Sequence, residues 1–133
     1  MNDPVDRFQA AAQLFKALAH PARLAILEVL GNGEECVCHL ETMLGFRQAY
    51  LSQQLAVLRE AGILQDRREG WNIYYRIVRE DVFDILSAIR STLPEYNRRE
   101  DLTELHECDC PKCKRKDSPA VDSKSFYVQN QIG

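Results

Sequence analysis

The sequence predicts a mainly α-helical protein with one small β-hairpin, and three patterns support this fold class. Apolar residues recur at helical spacing in several segments before Pro94. Two of the predicted helices are short and meet at a tight turn around Gly45, which is typical of a helix-turn-helix. The segment from Ile63 to Val78 then reads as two alternating strands with a turn near Glu69 and Gly70. These elements together predict a winged helix-turn-helix.

Two helices are predicted ahead of the helix-turn-helix. The first spans residues 5–19 and carries an apolar stripe at i, i+4 and i+7, one face that we expect to be buried. The stripe is formed by Phe8, Ala12 and Phe15, and Leu18 and Ala19 extend it. Pro21 suits the first position of the next helix, His20 is expected to cap it, and Gly31 is expected to end it.

The next pair of helices forms the predicted helix-turn-helix. Cys36 and Cys38 are expected to open the first of them, with Glu34 and Glu35 in its first turn, where carboxylates suit the helix dipole. The second is predicted over residues 47–59 and buries an apolar stripe. That stripe consists of Leu51, Leu55 and Leu58.

A last helix is predicted over residues 81–93, with Pro94 at its end. Its apolar surface and that of the first helix exceed what one small domain can cover, so we expect the two helices to form a two-fold homodimer interface. The chain should then comprise a winged-helix domain over residues 1–94, a cysteine-containing extension over residues 95–116 and a flexible tail over residues 117–133.

Composition limits the classes of protein that the chain can belong to. With 133 residues, 45% hydrophobic and 28% charged, it suits one soluble domain with a tail, and no apolar run is long enough to span a bilayer. The N-terminal segment is acidic and does not resemble a secretory signal, so we expect a cytoplasmic protein. In that reducing compartment its five cysteines favour metal binding or reactive-thiol chemistry over structural disulfides.

The cysteines fall into two groups, which we interpret as metal ligands. They are Cys36 and Cys38 near the helix-turn-helix and Cys108, Cys110 and Cys113 in the extension. Thiolates are soft donors that favour As(III), Sb(III), Cd(II), Pb(II) or Zn(II). Residues two apart point to different sides of a helix, so one ion would bind both members of the first group only if that helical turn distorts. We therefore expect the extension to supply the remaining sulfurs and binding to deform the helix.

A second candidate site lies on the helix-turn-helix and the hairpin. Although the net charge is −3, arginines outnumber carboxylates between Gly45 and Glu80. The second helix of the helix-turn-helix also carries polar side chains of the types that can read base edges. The expected DNA-binding residues are Arg47, Gln48, Tyr50, Ser52, Gln53, Gln54, Arg67, Arg68 and Asn72. The two hairpin arginines are expected to contact phosphates, whereas the sequence leaves open whether Trp71 packs on the core or stacks near DNA.

Four segments resemble the ArsR/SmtB family of metal-responsive winged-helix repressors, over roughly Phe8 to Leu93. FKALAHPARLAILEVL is similar to the family's second helix, EECVCHL to its cysteine metal box, QAYLSQQLAVLREAGIL to its recognition helix and GWNIYYRI to its wing. The resemblance implies a homodimer that binds double-stranded operator DNA when empty and releases it when a thiophilic ion binds.

The chain also departs from the family's pattern. Glu41 stands where the arsenic sensors carry a third cysteine, and His39 stands where the family usually has Asp. The zinc-responsive branch carries an Asp-x-His pair in the last helix, with another His and an acid about three turns later. Here Phe83 follows Asp81 at the His position, and the later positions are Pro94 and Asn97, so that site is absent. His39 and His106 remain alternative ligands beside the two cysteine groups.

Three other functions are compatible with the same residues. Within the same fold, the cysteines can sense oxidant or persulfide by forming a disulfide or polysulfide. A thiol oxidoreductase is disfavoured because no thioredoxin-like βαβ pattern surrounds either cysteine group, and no other catalytic arrangement is visible, so we expect a non-enzyme. A zinc-stabilised interaction module is disfavoured because the helical core looks sufficient without metal.

Overall fold

The computed structural model describes residues 4–97 of the chain. It contains five α-helices and three β-strands within that range. In chain order these are α1 (Gln9–Leu18), α2 (Pro21–Leu30), β1 (Glu35–Cys36), α3 (Val37–Leu44), α4 (Gln48–Glu60), β2 (Leu64–Glu69), β3 (Asn72–Ile77) and α5 (Glu80–Thr92). Short 3₁₀ turns precede α1 at Asp6–Phe8 and follow α5 at Pro94–Asn97. This order is the predicted winged helix-turn-helix, with α3 and α4 as the helix pair and β2 and β3 as the wing.

Local signals in the sequence set the ends of the helices. The His20 side chain caps α2 as predicted, because its Nδ1 accepts a hydrogen bond from the Ala22 N–H at 3.1 Å, and Pro21 occupies the first turn. Gly45 ends α3 in the left-handed conformation at φ 68°, which a glycine adopts without steric cost. The chain therefore turns sharply between α3 and α4, as the helix-turn-helix requires.

A large apolar cluster holds the helices against the sheet. It includes the predicted stripe of α4, whose members Leu51, Leu55 and Leu58 are at most 1% exposed. Helix α1 contributes Leu14 and Leu18 to this cluster. The predicted stripe of α1 is therefore buried at Leu18, whereas Phe8 and Phe15 are 55% and 59% exposed in the single chain. The predicted burial of these two phenylalanines in a dimer stays a prediction.

The sheet has one strand more than the sequence predicted. Its strands are antiparallel in the order β1-β3-β2, and β3 pairs with β2 from Leu64↔Ile77 to Glu69↔Asn72. The additional strand β1 contributes only the pairs Glu35↔Tyr75 and Cys36↔Tyr74. The segment just before α3 is therefore part of the sheet and lies next to the wing.

This strand corrects the predicted start of the cysteine helix. Glu34 and Glu35 do not lie in its first turn, and Cys36 is the N-cap of α3 with extended backbone angles of −78° and 156°. The reason is that pairing with β3 holds this segment in an extended conformation. This pairing stabilises the segment more than a favourable interaction of the two carboxylates with the helix dipole would. Only Cys38 lies within α3.

Helix α5 is joined to α2 by a buried ion pair. The Arg90 guanidinium donates to the Glu28 carboxylate through Nε at 3.1 Å and Nη2 at 2.9 Å, and the side chains are 7% and 6% exposed. The predictions for His106, Cys108, Cys110 and Cys113, and those for the extension and the tail, lie outside the described residues.

Candidate DNA-binding face and cysteine site

The outer face of α4 presents the polar side chains predicted to read DNA. Gln48, Tyr50, Ser52 and Gln53 are exposed on this helix, and Arg47 is exposed at its N-cap. The Tyr50 ring packs edge-on against Phe46, with 5.4 Å between ring centroids, and Tyr50 remains 38% exposed. This face can offer hydrogen-bond donors and acceptors to base edges.

Gln54 was wrongly included in that face. Its side chain is 8% exposed, and its Oε1 accepts a hydrogen bond from Arg23 Nη1 at 3.1 Å. Helical geometry explains the correction, because Gln54 follows Leu51 by three residues and precedes Leu58 by four, which places it on the buried stripe. Arg23 also donates through Nε to the Ala17 carbonyl at 2.6 Å, so Gln54 belongs to a polar contact between α4 and the first two helices.

Arg67, at the side of the wing, is held by two carboxylates. Its Nε and Nη2 donate to the two oxygens of Glu34 at 3.2 and 2.6 Å, and its Nη1 donates to Glu69 at 3.0 Å. Its guanidinium carbon lies 4.6 Å from the centre of the Tyr74 ring. The hydrogen bonds to Glu34 and Glu69 raise the pKa of Arg67 above its ordinary value, so the group stays fully charged.

The tip of the wing is open to solvent. Arg68 is exposed, Asn72 is half-buried, and Trp71 is fully exposed at the turn, where Gly70 adopts a φ of 61°. The question that the sequence left open for Trp71 is therefore partly answered, because its ring does not pack on the core of the chain.

Cys36 and Cys38 are brought together without any change in helix α3. Their sulfurs are bonded as a disulfide, and their Cα atoms are 5.3 Å apart, a separation usual for bridged cysteines. The prediction that both cysteines lie in the helix was wrong, whereas the prediction that ion binding deforms α3 stays a prediction. Because Cys36 lies before the helix in extended conformation, its side chain can reach that of Cys38 over the first turn.

Buried groups surround this cysteine pair. Cys36 is fully buried, packs against Tyr74, and its Sγ accepts a hydrogen bond from the His39 N–H at 3.1 Å. The His39 Nε2 lies 3.6 Å from a carboxylate oxygen of Glu35, and both side chains are buried. Between residues 4 and 97, no group of three His, Cys, Asp or Glu side chains is placed to hold a metal ion.

Sequence reasoning missed Glu34 as a partner of the wing. It assigned Glu34 to a helix, and the contact with Arg67 spans 33 positions in the chain. The available signal was an extended reading of this segment. In a strand, Glu34 and Cys36 project to one side and Glu35 to the other, so one carboxylate can lie beside the hairpin arginines. A two-residue strand, however, is too short to be recognised from such a pattern alone.

Comparisons with known proteins agree with this arrangement. The family profile described as "Bacterial regulatory protein, arsR family" matches residues 20–66. The biofilm growth-associated repressor of Agrobacterium fabrum is 45% identical over 93 residues, which cover 68% of this chain and 80% of that protein. The chain belongs to the ArsR family.

Two further relatives place the chain within this ArsR family. The arsenical resistance operon repressor of Escherichia coli is 46% identical over 71 residues, which cover 53% of this chain and 61% of that protein. The solution structure of a homodimeric winged helix-turn-helix DNA-binding domain from Mycobacterium bovis has a TM-score of 0.63 at 30% identity and covers 80% of this chain and 96% of that one. Among the residues described here, no helix has the length and apolar character needed to cross a membrane.

Proposed function

We propose that the protein is a homodimeric transcriptional repressor that binds double-stranded operator DNA through α4 and the wing. The observation that carries this proposal is the exposed polar face of α4, which stands on a fully buried leucine stripe. A helix supported in this way can enter a major groove as a rigid body. The names of the relatives, two of which are repressors, support the same function.

The proposed dimer brings two such helices to successive major grooves. Phe8 and Phe15 expose large apolar side chains around α1, and Leu93 does so at the end of α5. Contacts between these helices and those of a second copy would remove this surface from water. The homodimeric relative from Mycobacterium bovis supports this assembly.

The proposed effector is a thiophilic ion, As(III), Sb(III), Cd(II), Pb(II) or Zn(II), bound by cysteine thiolates. After reduction of the disulfide, the neighbouring thiolates of Cys36 and Cys38 would supply two positions of such a donor set, and residues 4–97 offer no cluster of three His, Cys, Asp or Glu side chains. A third thiolate therefore has to come from Cys108, Cys110 or Cys113. In this proposal the empty protein binds DNA, and ion binding at the cysteines lowers that affinity.

Oxidation of the same pair is a second candidate, favoured by the contact between the two sulfurs. A peroxide can take two electrons from the Cys36 and Cys38 thiols, forming the disulfide while the peroxide O–O bond breaks and the two protons leave in water. The half-buried Cys38 would meet the oxidant, since Cys36 is fully buried. This candidate needs no sulfur from the extension.

Two cysteine variants separate the candidates. DNA selected in vitro for binding by the reduced full-length protein is titrated with Cys36→Ser/Cys38→Ser and with Cys108→Ser/Cys110→Ser/Cys113→Ser, with As(III), Cd(II) or hydrogen peroxide added. The wild-type protein should lose affinity by about 5- to 150-fold, the usual range of allosteric coupling. A shared ion site requires both variants to keep DNA binding and to lose the response to ions.

The outcomes that contradict each candidate are distinct. If the extension variant keeps its full response to ions, the extension does not complete the site. If the wild-type protein responds to peroxide but to neither ion, and the extension variant keeps that response, oxidation is the signal. If Cys36→Ser/Cys38→Ser still responds to every agent, neither candidate is correct.

A further inference from the structure

Three residues form a row across the sheet that joins the cysteine pair to the wing. Cys36 of β1 is the cross-strand partner of Tyr74 in β3, and Tyr74 is the partner of Arg67 in β2. Directly paired residues of antiparallel strands project to the same side of a sheet, with Cβ atoms about 4.5–5.5 Å apart. The three side chains therefore share one face, with Tyr74 between the cysteine and the arginine.

The middle of this row is tightly packed. Tyr74 is 2% exposed and lies in one buried cluster with Cys36, against which Cys38 also packs. The guanidinium of Arg67 lies over the ring of Tyr74. Because Tyr74 is almost completely buried and packs beside both cysteines, a movement of the cysteine side chains would press on its ring or on strand β1.

Glu34 closes a second connection between the same two regions. It precedes Cys36 by two residues, and its carboxylate accepts two hydrogen bonds from the Arg67 guanidinium, at 2.6 and 3.2 Å. This two-point pairing is the geometry that an arginine also uses for a phosphate group. Glu34 thus occupies the part of Arg67 that a DNA phosphate would need.

The connection is also easy to break. Strand β1 contains two residues, and the Glu34 and Arg67 side chains remain 26% and 49% exposed. Water can therefore replace the carboxylate at a small cost in free energy.

We propose that Glu34 competes with DNA phosphate for Arg67. Glu34 holds Arg67 when the Cys36–Cys38 disulfide is formed (the closed state) and releases it when the two thiols are reduced (the open state). The inference rests on the proposed function, because it assumes that the wing contacts DNA and that the cysteine pair is the sensor. In the closed state Arg67 is withheld from the DNA backbone. In the open state β1 relaxes, and Arg67 binds one further phosphate in each subunit.

The test compares Glu34→Gln with Glu69→Gln in the full-length protein. Both variants remove one carboxylate that accepts a hydrogen bond from Arg67, but only Glu34 lies beside the cysteines, whereas Glu69 lies within the wing. Affinity for the selected DNA is measured as a function of salt, after reduction with dithiothreitol and after closure of the pair with hydrogen peroxide. Peptide mapping verifies that the bond formed joins Cys36 and Cys38.

We expect Glu34→Gln to bind DNA several-fold more tightly than wild type in the closed state and to show a much smaller difference between the two states. Its salt dependence in the closed state should steepen by about one unit for each further phosphate that the protein neutralises. Glu69→Gln should bind more tightly in both states and keep the full difference between them. Equal differences between states in wild type and Glu34→Gln would overturn the proposal.

A spectroscopic measurement without DNA examines the contact itself. The Nε–H signal of Arg67 in ¹H–¹⁵N spectra should show the downfield shift of a carboxylate-bonded guanidinium in the closed wild-type protein. It should lose that shift on reduction, and Glu34→Gln should lack it in both states. A signal that is identical in closed and open wild-type protein overturns the proposal even if the protein is confirmed as a DNA-binding repressor, whereas absence of DNA binding in every state overturns the proposed function.

Discussion

Two arginine–glutamate pairs connect distant parts of the chain, and their surroundings give them different roles. Glu28 and Arg90 join α2 to α5 at 2.9 Å with both side chains at most 7% exposed. Glu34 and Arg67 join the cysteine segment to the wing at 2.6 Å while remaining 26% and 49% exposed. The hydrogen-bond geometry is similar, so burial decides which pair holds the fold in place and which can exchange its partner.

The buried pair should show the largest effect when one partner is removed. Arg90→Met leaves the Glu28 carboxylate buried without its guanidinium, and we expect a loss of about 3–5 kcal/mol in the free energy of unfolding. The measurement is urea unfolding at a fixed protein concentration, because assembly also contributes to stability.

A double replacement serves as the control for this effect. Glu28→Leu/Arg90→Met removes both charges and should recover most of the lost stability, because an apolar pair of similar size has no ionic group to desolvate. If Arg90→Met unfolds at the same urea concentration as wild type, the buried pair does not hold α2 to α5, and the proposed difference between the pairs disappears.

The distinction between local and long-range contacts explains what the sequence predicted and what it missed. Helix boundaries depended on local signals such as the cap at His20 and the left-handed Gly45, and these predictions were confirmed. Strand β1 was missed because the strand it pairs with, β3, lies about 40 residues away in the sequence. The pairing of Glu28 with Arg90 was missed for the same reason, since it joins residues 62 positions apart.

Gln54 is a different case, because its burial could have been predicted from helical spacing. It lies on the leucine stripe of α4, yet its polar side chain suggested the outer face. Residue type was given more weight than position, although a buried amide is acceptable wherever a partner such as Arg23 is present. The state of the cysteine pair, by contrast, depended on the tertiary contact with β3 and could not be read from the spacing of the two residues.

Neighbouring glutamines on α4 provide the second test, of intermediate size. Gln53→Ala should weaken binding to the selected DNA relative to random DNA by roughly 1–3 kcal/mol, if its exposed amide makes a two-point contact with an adenine. Gln54→Ala removes the acceptor of Arg23 and should instead lower the free energy of unfolding by about 1 kcal/mol. Fluorescence-anisotropy titrations on both DNAs give the affinity difference between selected and random DNA for each variant, and urea unfolding gives the free energy of unfolding of each variant.

This pair of variants distinguishes a DNA-reading face from a structural one within a single helix. Equal losses on selected and random DNA for Gln53→Ala would remove its assignment as a base-reading residue. A specific loss for Gln54→Ala without a loss of stability would show that the buried face of α4 also takes part in recognition, contrary to the placement of its side chain.

The exposed pair should show the smallest effect on stability. Glu34→Gln and Glu28→Gln are the same chemical change at an exposed and at a buried ion pair. We expect Glu34→Gln to lower the free energy of unfolding by less than about 1 kcal/mol, and added salt to reduce that difference, because exposed ion pairs are weak and screened. Glu28→Gln should cost several times more and respond little to salt, since Arg90 then remains buried beside a neutral group. Parallel urea unfolding at low and high salt measures the loss of stability in both variants.

Equal losses would mean that Glu34 is as much a part of the folded framework as Glu28, and its release of Arg67 would then require partial unfolding of the sheet. A small, salt-sensitive loss leaves Glu34→Gln folded, so that its change in DNA affinity reports the contact at Arg67 and not a change in stability.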